Sequence, residues 1–133
     1  MTDTPQGTLT LQTVTFPADT NAAGDIFGGW VVGQLDIAAG IAAAIRAEGR
    51  VATVAINAMR FHQPVHVGDL FTCYTRIMRT GTTSMTIHVE AWVRRLRTGD
   101  HMRVTEAEFT FVAIAASGVK RPLPPGPDQS VTA

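Results

Sequence analysis

The sequence predicts an α+β domain, an antiparallel sheet of five to six strands wrapped around one long central helix. Three observations carry this. The stretch from Trp30 to Ala47 is almost wholly apolar and dominated by alanine, the best helix former. Five other segments are rich in β-branched residues and alternate between apolar and polar positions. Glycine-centred turns separate the last three of those segments at hairpin spacing.

Taken in order, residues 1–7 form a polar tail expected to be disordered. Thr8–Phe16 alternates as TLTLQTVTF, a strand ended by Pro17. A polar, glycine-broken loop follows, with Asp19, Asn21, Gly24, Asp25 and the pair Gly28-Gly29. The helix then runs to Ala47, and Gly49 sits where a helix stop is expected. Apolar on all sides, it is expected to be buried on all sides. Val51–His62 reads as a strand closed by Pro64, and Val67-Gly68-Asp69 as a turn. Leu70–Arg79, Ser84–Arg97 and Met102–Ala116 are three further strands, joined by turns at Thr80-Gly81-Thr82 and Thr98-Gly99-Asp100. The domain spans 8–117. Residues 118–133, with Pro122, Pro124, Pro125 and Pro127, form a proline-rich tail expected to be disordered.

At 133 residues the chain makes one domain with room for a real core. Eleven basic residues balance eleven acidic ones, so no net field favours nucleic acid or an anionic membrane. The single cysteine, Cys73 in FTCYT, excludes an internal disulfide and reads as a small core residue. It fits a reducing compartment, and MTDTPQG lacks the basic region and apolar run of a signal peptide, so a cytoplasmic location is expected. The run Val31–Ile45 contains Gln34, Asp36 and two glycines, and is shorter than the ~20 apolar residues a membrane span needs.

Asp36 breaks the apolar helix. Its neighbours at three and four positions are Val32, Gly33, Ala39 and Gly40, so no cation on its own helix pairs with it. A carboxylate out of water without partners costs several kcal/mol. Asp36 therefore faces a wet gap, pairs with an arginine from elsewhere, or is held for chemistry. At the helix start, Gly28 and Gly29 bare N–H groups that have no internal partner and sit at the positive end of the dipole. They suit a developing oxyanion, or else permit a tight turn or close packing. Asp25 fits a helix cap better than a site contact. Gly29 and Asp36 are seven residues apart, roughly 10 Å at about 1.5 Å per residue. Both reach one reacting carbonyl only if they come from two chains, which predicts a dimer with shared sites. Gly33 and Gly40 share a face and would allow a close helix neighbour.

PADTNAAGDIFGGWVVGQLDIAAG followed by VATVAINAMRFHQPVHVGD resembles the hotdog-fold acyl-CoA thioesterases, specifically the cytoplasmic bacterial YciA-like branch, over about Leu9 to Ala116. The resemblance implies a hotdog dimer, often assembled into a trimer of dimers (a hexamer), that hydrolyses acyl-CoA to free acid and CoA with no cofactor. By the same resemblance Asp36 is the catalytic carboxylate, as general base or nucleophile. Asn21 holds water or the carbonyl, and Gly28-Gly29 supply the oxyanion N–H. Some branches carry a histidine where this chain has Phe27, which reads here as a wall of the acyl channel.

CoA brings phosphates, for which arginines are the expected partners. Candidates are Arg60, Arg76, Arg79, the Arg94-Arg95-Arg97 cluster and Lys120-Arg121, with Gly81, Thr82 and Ser84 as weaker donors to the nucleotide. The alternative for each is a solvated strand face. No G-x-S-x-G elbow, H-E-x-x-H, paired Cys/His set or Walker pattern is present, so no metal is expected. Two other functions fit the same pocket: a non-catalytic acyl-CoA sensor, and a hotdog dehydratase or hydratase acting on acyl thioesters. His62, His66, His88 and His101 all lie outside the central loop and helix, which counts against the dehydratase.

Overall fold

The computed structural model describes residues 4–126. Its elements are β1 (Thr8–Val14), a 3-10 turn (Pro17–Asp19), α1 (Gly28–Ala47), β2 (Val51–Phe61), β3 (Leu70–Thr80), β4 (Ser84–Arg94) and β5 (His101–Ala113). The strands form one antiparallel sheet in the order β1-β3-β4-β5-β2. Hairpins join β3 to β4 and β4 to β5. β2 instead lies at the far edge beside β5, so the chain crosses the sheet between β2 and β3.

α1 lies on one face of the sheet and touches all five strands. Leu35, Ala38, Ala39, Ala43 and Ala47 are buried against Phe71, Met85, Ile87, Val89 and Phe109. Alanine on this face lets the helix axis come close to the strands. Cys73 is fully buried in the same core, and burial pushes its thiol up to about 12.

Several expectations are corrected. The helix is not buried on every side: Ile37, Ile41 and Ile45 are 52%, 40% and 73% exposed and form one stripe at a four-residue spacing. A single sheet covers one side of a helix, and the described residues leave the Ile37, Ile41 and Ile45 side exposed. Nor is the helix too short for a membrane span by length and composition, because it starts at Gly28 and runs 20 residues. Its packing on the sheet makes it a core helix. Glu48, not a glycine, takes the left-handed position at the helix end, with φ 54°. β4 stops at Arg94 because Arg95 N–H turns to the Asp100 carbonyl (2.8 Å), and β5 stops at Ala113.

Parts of both expected tails are tied down. The backbone N–H of Gln6 donates to Glu90 Oε1 (3.3 Å), and Gly7 sits so close to Thr75 that a Cβ would run into its carbonyl. Lys120 bridges to Ile114, and the N–H of Leu123 donates to the Thr82 carbonyl (2.8 Å). Residues 1–3 and the remainder from Pro127 lie outside the described residues.

Candidate active site

The loop into α1 is held by Asn21. Its Oδ1 accepts from the N–H of Ala23 (2.9 Å) and of Asp25 (3.2 Å), while its own N–H donates to the Asp25 carbonyl (2.7 Å). With the oxygen committed to two donors, the Nδ2 amide is the group Asn21 has left to offer. Phe27 N–H donates to the Asp19 carbonyl (2.9 Å) and Ile26 N–H to that of Val65 (3.0 Å), which ties the loop to the connection between β2 and β3.

α1 begins without a side-chain cap. Phe27 occupies the N-cap position, so the expectation that Asp25 caps the helix is corrected. Asp25 stands two residues too early, and its backbone groups are spent on Asn21. A side chain added at Gly29 would meet nothing within 4 Å, and one at Gly28 would meet only Phe61 Cε1 at 4.0 Å. Neither glycine has positive φ. Close packing and a tight turn therefore fail to explain the pair. What the glycines do provide is unobstructed approach to the first N–H groups of a 20-residue helix.

A cavity of about 280 Å³ opens beside Gly28. Ile26, Val31, Phe61 and Val65 give it apolar walls, and Thr105 and His62 are among its polar groups. Phe61 forms its aromatic wall, while Phe27 stands outside this lining; both rings are more than half exposed in the single chain. Thr105 is fully buried, and its hydroxyl has no hydrogen-bond partner among the described residues.

Asp36 sits two turns further along α1 and is half-buried. Thr53 Oγ1 on β2 donates to Asp36 Oδ1 at 2.8 Å. No basic side chain forms an ion pair with Asp36 among the described residues. Thr53 was not legible as a site residue: it lies 17 positions away, and only the packing of β2 beside α1 joins the two. β2 is also the open edge of the sheet, with Val54 and Ile56 exposed beside Thr53.

The remaining candidates do not converge within one chain. Gly81 N–H donates to the Ser84 carbonyl (2.8 Å), closing a turn that the register places at the start of β2, opposite the Phe61 end where Gly28 lies. The Thr82 carbonyl is taken by Leu123. Arg60 lies across from Glu106 on the strand ladder. Two other arginines have structural duties. Arg95 pairs with Asp69 (3.2 Å), and Arg121 donates to the carbonyls of Ala47 (3.0 Å) and Ile114 (3.1 Å).

His62 Nε2 meets Glu106 Oε2 at 2.7 Å, and Arg103 Nε lies 3.8 Å from the same oxygen. Burial alone would raise the Glu106 carboxyl. The hydrogen bond from His62 and the charges of Arg103, His62 and His88 override it and hold the group below its usual range. Among the described residues, no group of three or more His, Cys, Asp or Glu side chains is placed to hold a metal ion.

The model of the thioesterase superfamily matches residues 23–99. The acyl-CoA thioester hydrolase YciA of Salmonella typhimurium is 49% identical over 127 residues, covering 93% of this chain and 96% of that protein. The hexameric thioesterase of Yersinia pestis superposes with a TM-score of 0.89 at 50% identity, covering 92% of this chain and 100% of the other. A hexameric broad-specificity acyl-coenzyme A thioesterase, solved as an aspartate-to-alanine mutant, gives a TM-score of 0.90 at 42% identity, covering 96% and 94%.

Proposed function

The chain belongs to the thioesterase superfamily, and from that premise we propose that it is a homo-oligomeric acyl-CoA thioester hydrolase with Asp36 as its catalytic carboxylate. The observation that carries the role of Asp36 is its setting: a carboxylate on an apolar helix, with no ion-paired cation among the described residues, anchored through one oxygen by Thr53. That hydrogen bond leaves the second oxygen available to the reaction.

Hydrolysis then follows ordinary acyl-transfer chemistry. Water attacks the thioester carbonyl as Asp36 takes its proton, or Asp36 itself attacks and water opens the resulting anhydride. In either case the carbonyl oxygen gains charge and is met by the N–H groups of Gly28 and Gly29 at the positive end of α1. The C–S bond breaks, and the CoA thiolate leaves and takes up a proton. Asn21, through Nδ2, steadies the water or the carbonyl beside the helix start.

Asp36 and Gly29 of one chain lie about 10 Å apart along the axis, too far to act on one carbonyl. The acid of one protomer therefore works with the helix start of its partner. The open edge of β2 supports this, since Thr53 and Asp36 lie beside it together with the exposed Val54 and Ile56. The uncovered Ile37, Ile41 and Ile45 stripe gives a further apolar surface to cover, in keeping with a hexamer like those of the relatives. The buried thiol of Cys73 suits a reducing compartment, and the cytoplasm is the proposed location. Arg60 and Arg76 are proposed contacts for the CoA phosphates, with the turn at Gly81, Thr82 and Ser84 near the nucleotide.

Release of free thiol from a series of acyl-CoA esters tests the activity. A mixture of Asp36→Ala with Gly29→Pro, each inactive alone, should regain part of the turnover by re-forming one intact site. No recovery in proven heterodimers would refute the shared site.

A further inference from the structure

The cavity at the start of α1 has a closed floor and an open rim. Ile26, Val31, Val65 and Thr105 are buried and form the floor, where the Thr105 hydroxyl is sealed off from anything that enters. Phe61, His62 and Gln63 are exposed and form the rim beside Gly28. Most polar groups along this rim are already spent. The backbone N–H groups of His62 and Gln63 both donate to the Val104 carbonyl (2.7 and 3.3 Å). The Pro64 carbonyl accepts from Arg95 Nη2 (2.8 Å), and that of Val65 from Ile26 N–H (3.0 Å). His62 Nε2 is bound to Glu106 Oε2 (2.7 Å), which leaves Nδ1 as a donor or an acceptor but not both. The side-chain amide of Gln63 makes no hydrogen bond among the described residues. It offers donors and an acceptor together.

Resting on the hydrolase reading above, we infer that Gln63 is a specificity-determining residue whose side-chain amide binds the amide of the CoA arm nearest the sulfur. With the thioester carbonyl at Gly28-Gly29, the two ends of the substrate part company there. The apolar floor suits the acyl chain, whereas the CoA arm ends in phosphates and must cross the rim to solvent. The first polar group on that arm is an amide, joined to the sulfur by a short ethylene spacer. It presents one N–H and one carbonyl, which a primary amide matches with its own carbonyl and N–H. Because Gln63 is exposed, water satisfies it when the site is empty, and the residue is available without cost to the fold. The protomer whose helix start meets the carbonyl thus also holds the leaving arm.

The test measures kcat/KM by thiol release from butyryl-CoA, S-butyryl-N-acetylcysteamine and S-pentyl thiobutyrate. The second ester keeps only the amide in question, and the third replaces it by methylenes. Gln63→Leu and Gln63→Ala should each lower the rate constant on the first two esters about five- to tenfold. On S-pentyl thiobutyrate they should match the wild type, and their thermal midpoints should be unchanged. Equal losses on all three esters, or no loss on any, would overturn the inference. So would a loss confined to butyryl-CoA, or a wild type that cleaves butyryl-CoA but not the N-acetylcysteamine ester, since recognition would then lie farther along the arm. A midpoint lowered by several degrees in both variants would give Gln63 to the fold and overturn it too. No thiol from butyryl-CoA with the wild type would instead refute the hydrolase reading, and this inference with it.

Discussion

At its N-terminal end α1 has no side-chain cap, two glycines in the first turn and N–H groups open to a cavity. At its C-terminal end three of the last four carbonyls, those of Ala44, Ile45 and Ala47, are covered. Glu48 N–H donates to Ala44 and Ile45, Gly49 N–H donates to Ala44 (3.2 Å), and Arg121 Nη1 donates to Ala47 (3.0 Å). Both ends of any helix leave four backbone groups without partners, so the difference lies in what each end is used for. The closed end contributes to the fold. The open end gives up a cap, about 1 kcal/mol in ordinary proteins, and leaves its dipole and donors uncovered, as the proposed oxyanion site requires.

The contrast even separates the glycines. A Cβ at Gly49 would lie 2.7 Å from Arg121 Nη2, so that glycine makes room for a protein side chain. A Cβ at Gly29 would touch nothing within 4 Å, so the space there is open.

The largest expected effect comes from Asp36→Ala, which should lower kcat at least about a thousandfold, or about 4 kcal/mol of barrier. Oligomer size by light scattering and the thermal midpoint should stay unchanged, and substantial remaining activity would mean the open end works without this acid. Gly29→Ala sharpens the comparison more directly. The added methyl fits the free chain, and stability should hold or rise by up to about 1 kcal/mol. The same methyl obstructs the helix start, and kcat should drop about ten- to hundredfold; a drop confined to stability would assign Gly29 to folding.

Arg121→Ala is the counterpart at the closed end. Denaturant unfolding should show a loss of about 1–2 kcal/mol from uncovered carbonyls, with kcat per folded protomer unchanged. The smallest effect belongs to Glu106→Gln. The folded carboxyl is held below its usual value, so its contribution is present above the unfolded value and is lost as pH falls through the folded one. Glu106→Gln should therefore cost about 0.5 kcal/mol near neutrality, a modest figure because the group is partly in solvent. The deficit should close in acid, and one independent of pH would point to packing instead.

The proposed site could be named before any coordinates, because it rests on residue types that are costly where they stand. An acid in an alanine-rich helix and paired glycines at its start conflict with local preference, and such conflicts collect at functional sites. Asp25 was misjudged because capping depends on one residue of register, and a loop closed by Asn21 shifts that register. Arg121 read as a phosphate ligand in a loose tail. Its role as a helix plug arises from a chain reversal that carries no periodic signal.

By itself the sequence determined the α+β class, the long helix, the five strands and the family, since periodicity, turn residues and a contiguous motif are local properties. Only the tertiary structure decided that β2 lies at an open edge beside β5, that Thr53 holds Asp36, and that the Thr105 hydroxyl ends buried with no partner among the described residues. Those facts join residues distant along the chain. Which strand lies next to which is settled by how one helix and one sheet bury their apolar faces together, and no local stretch records the outcome.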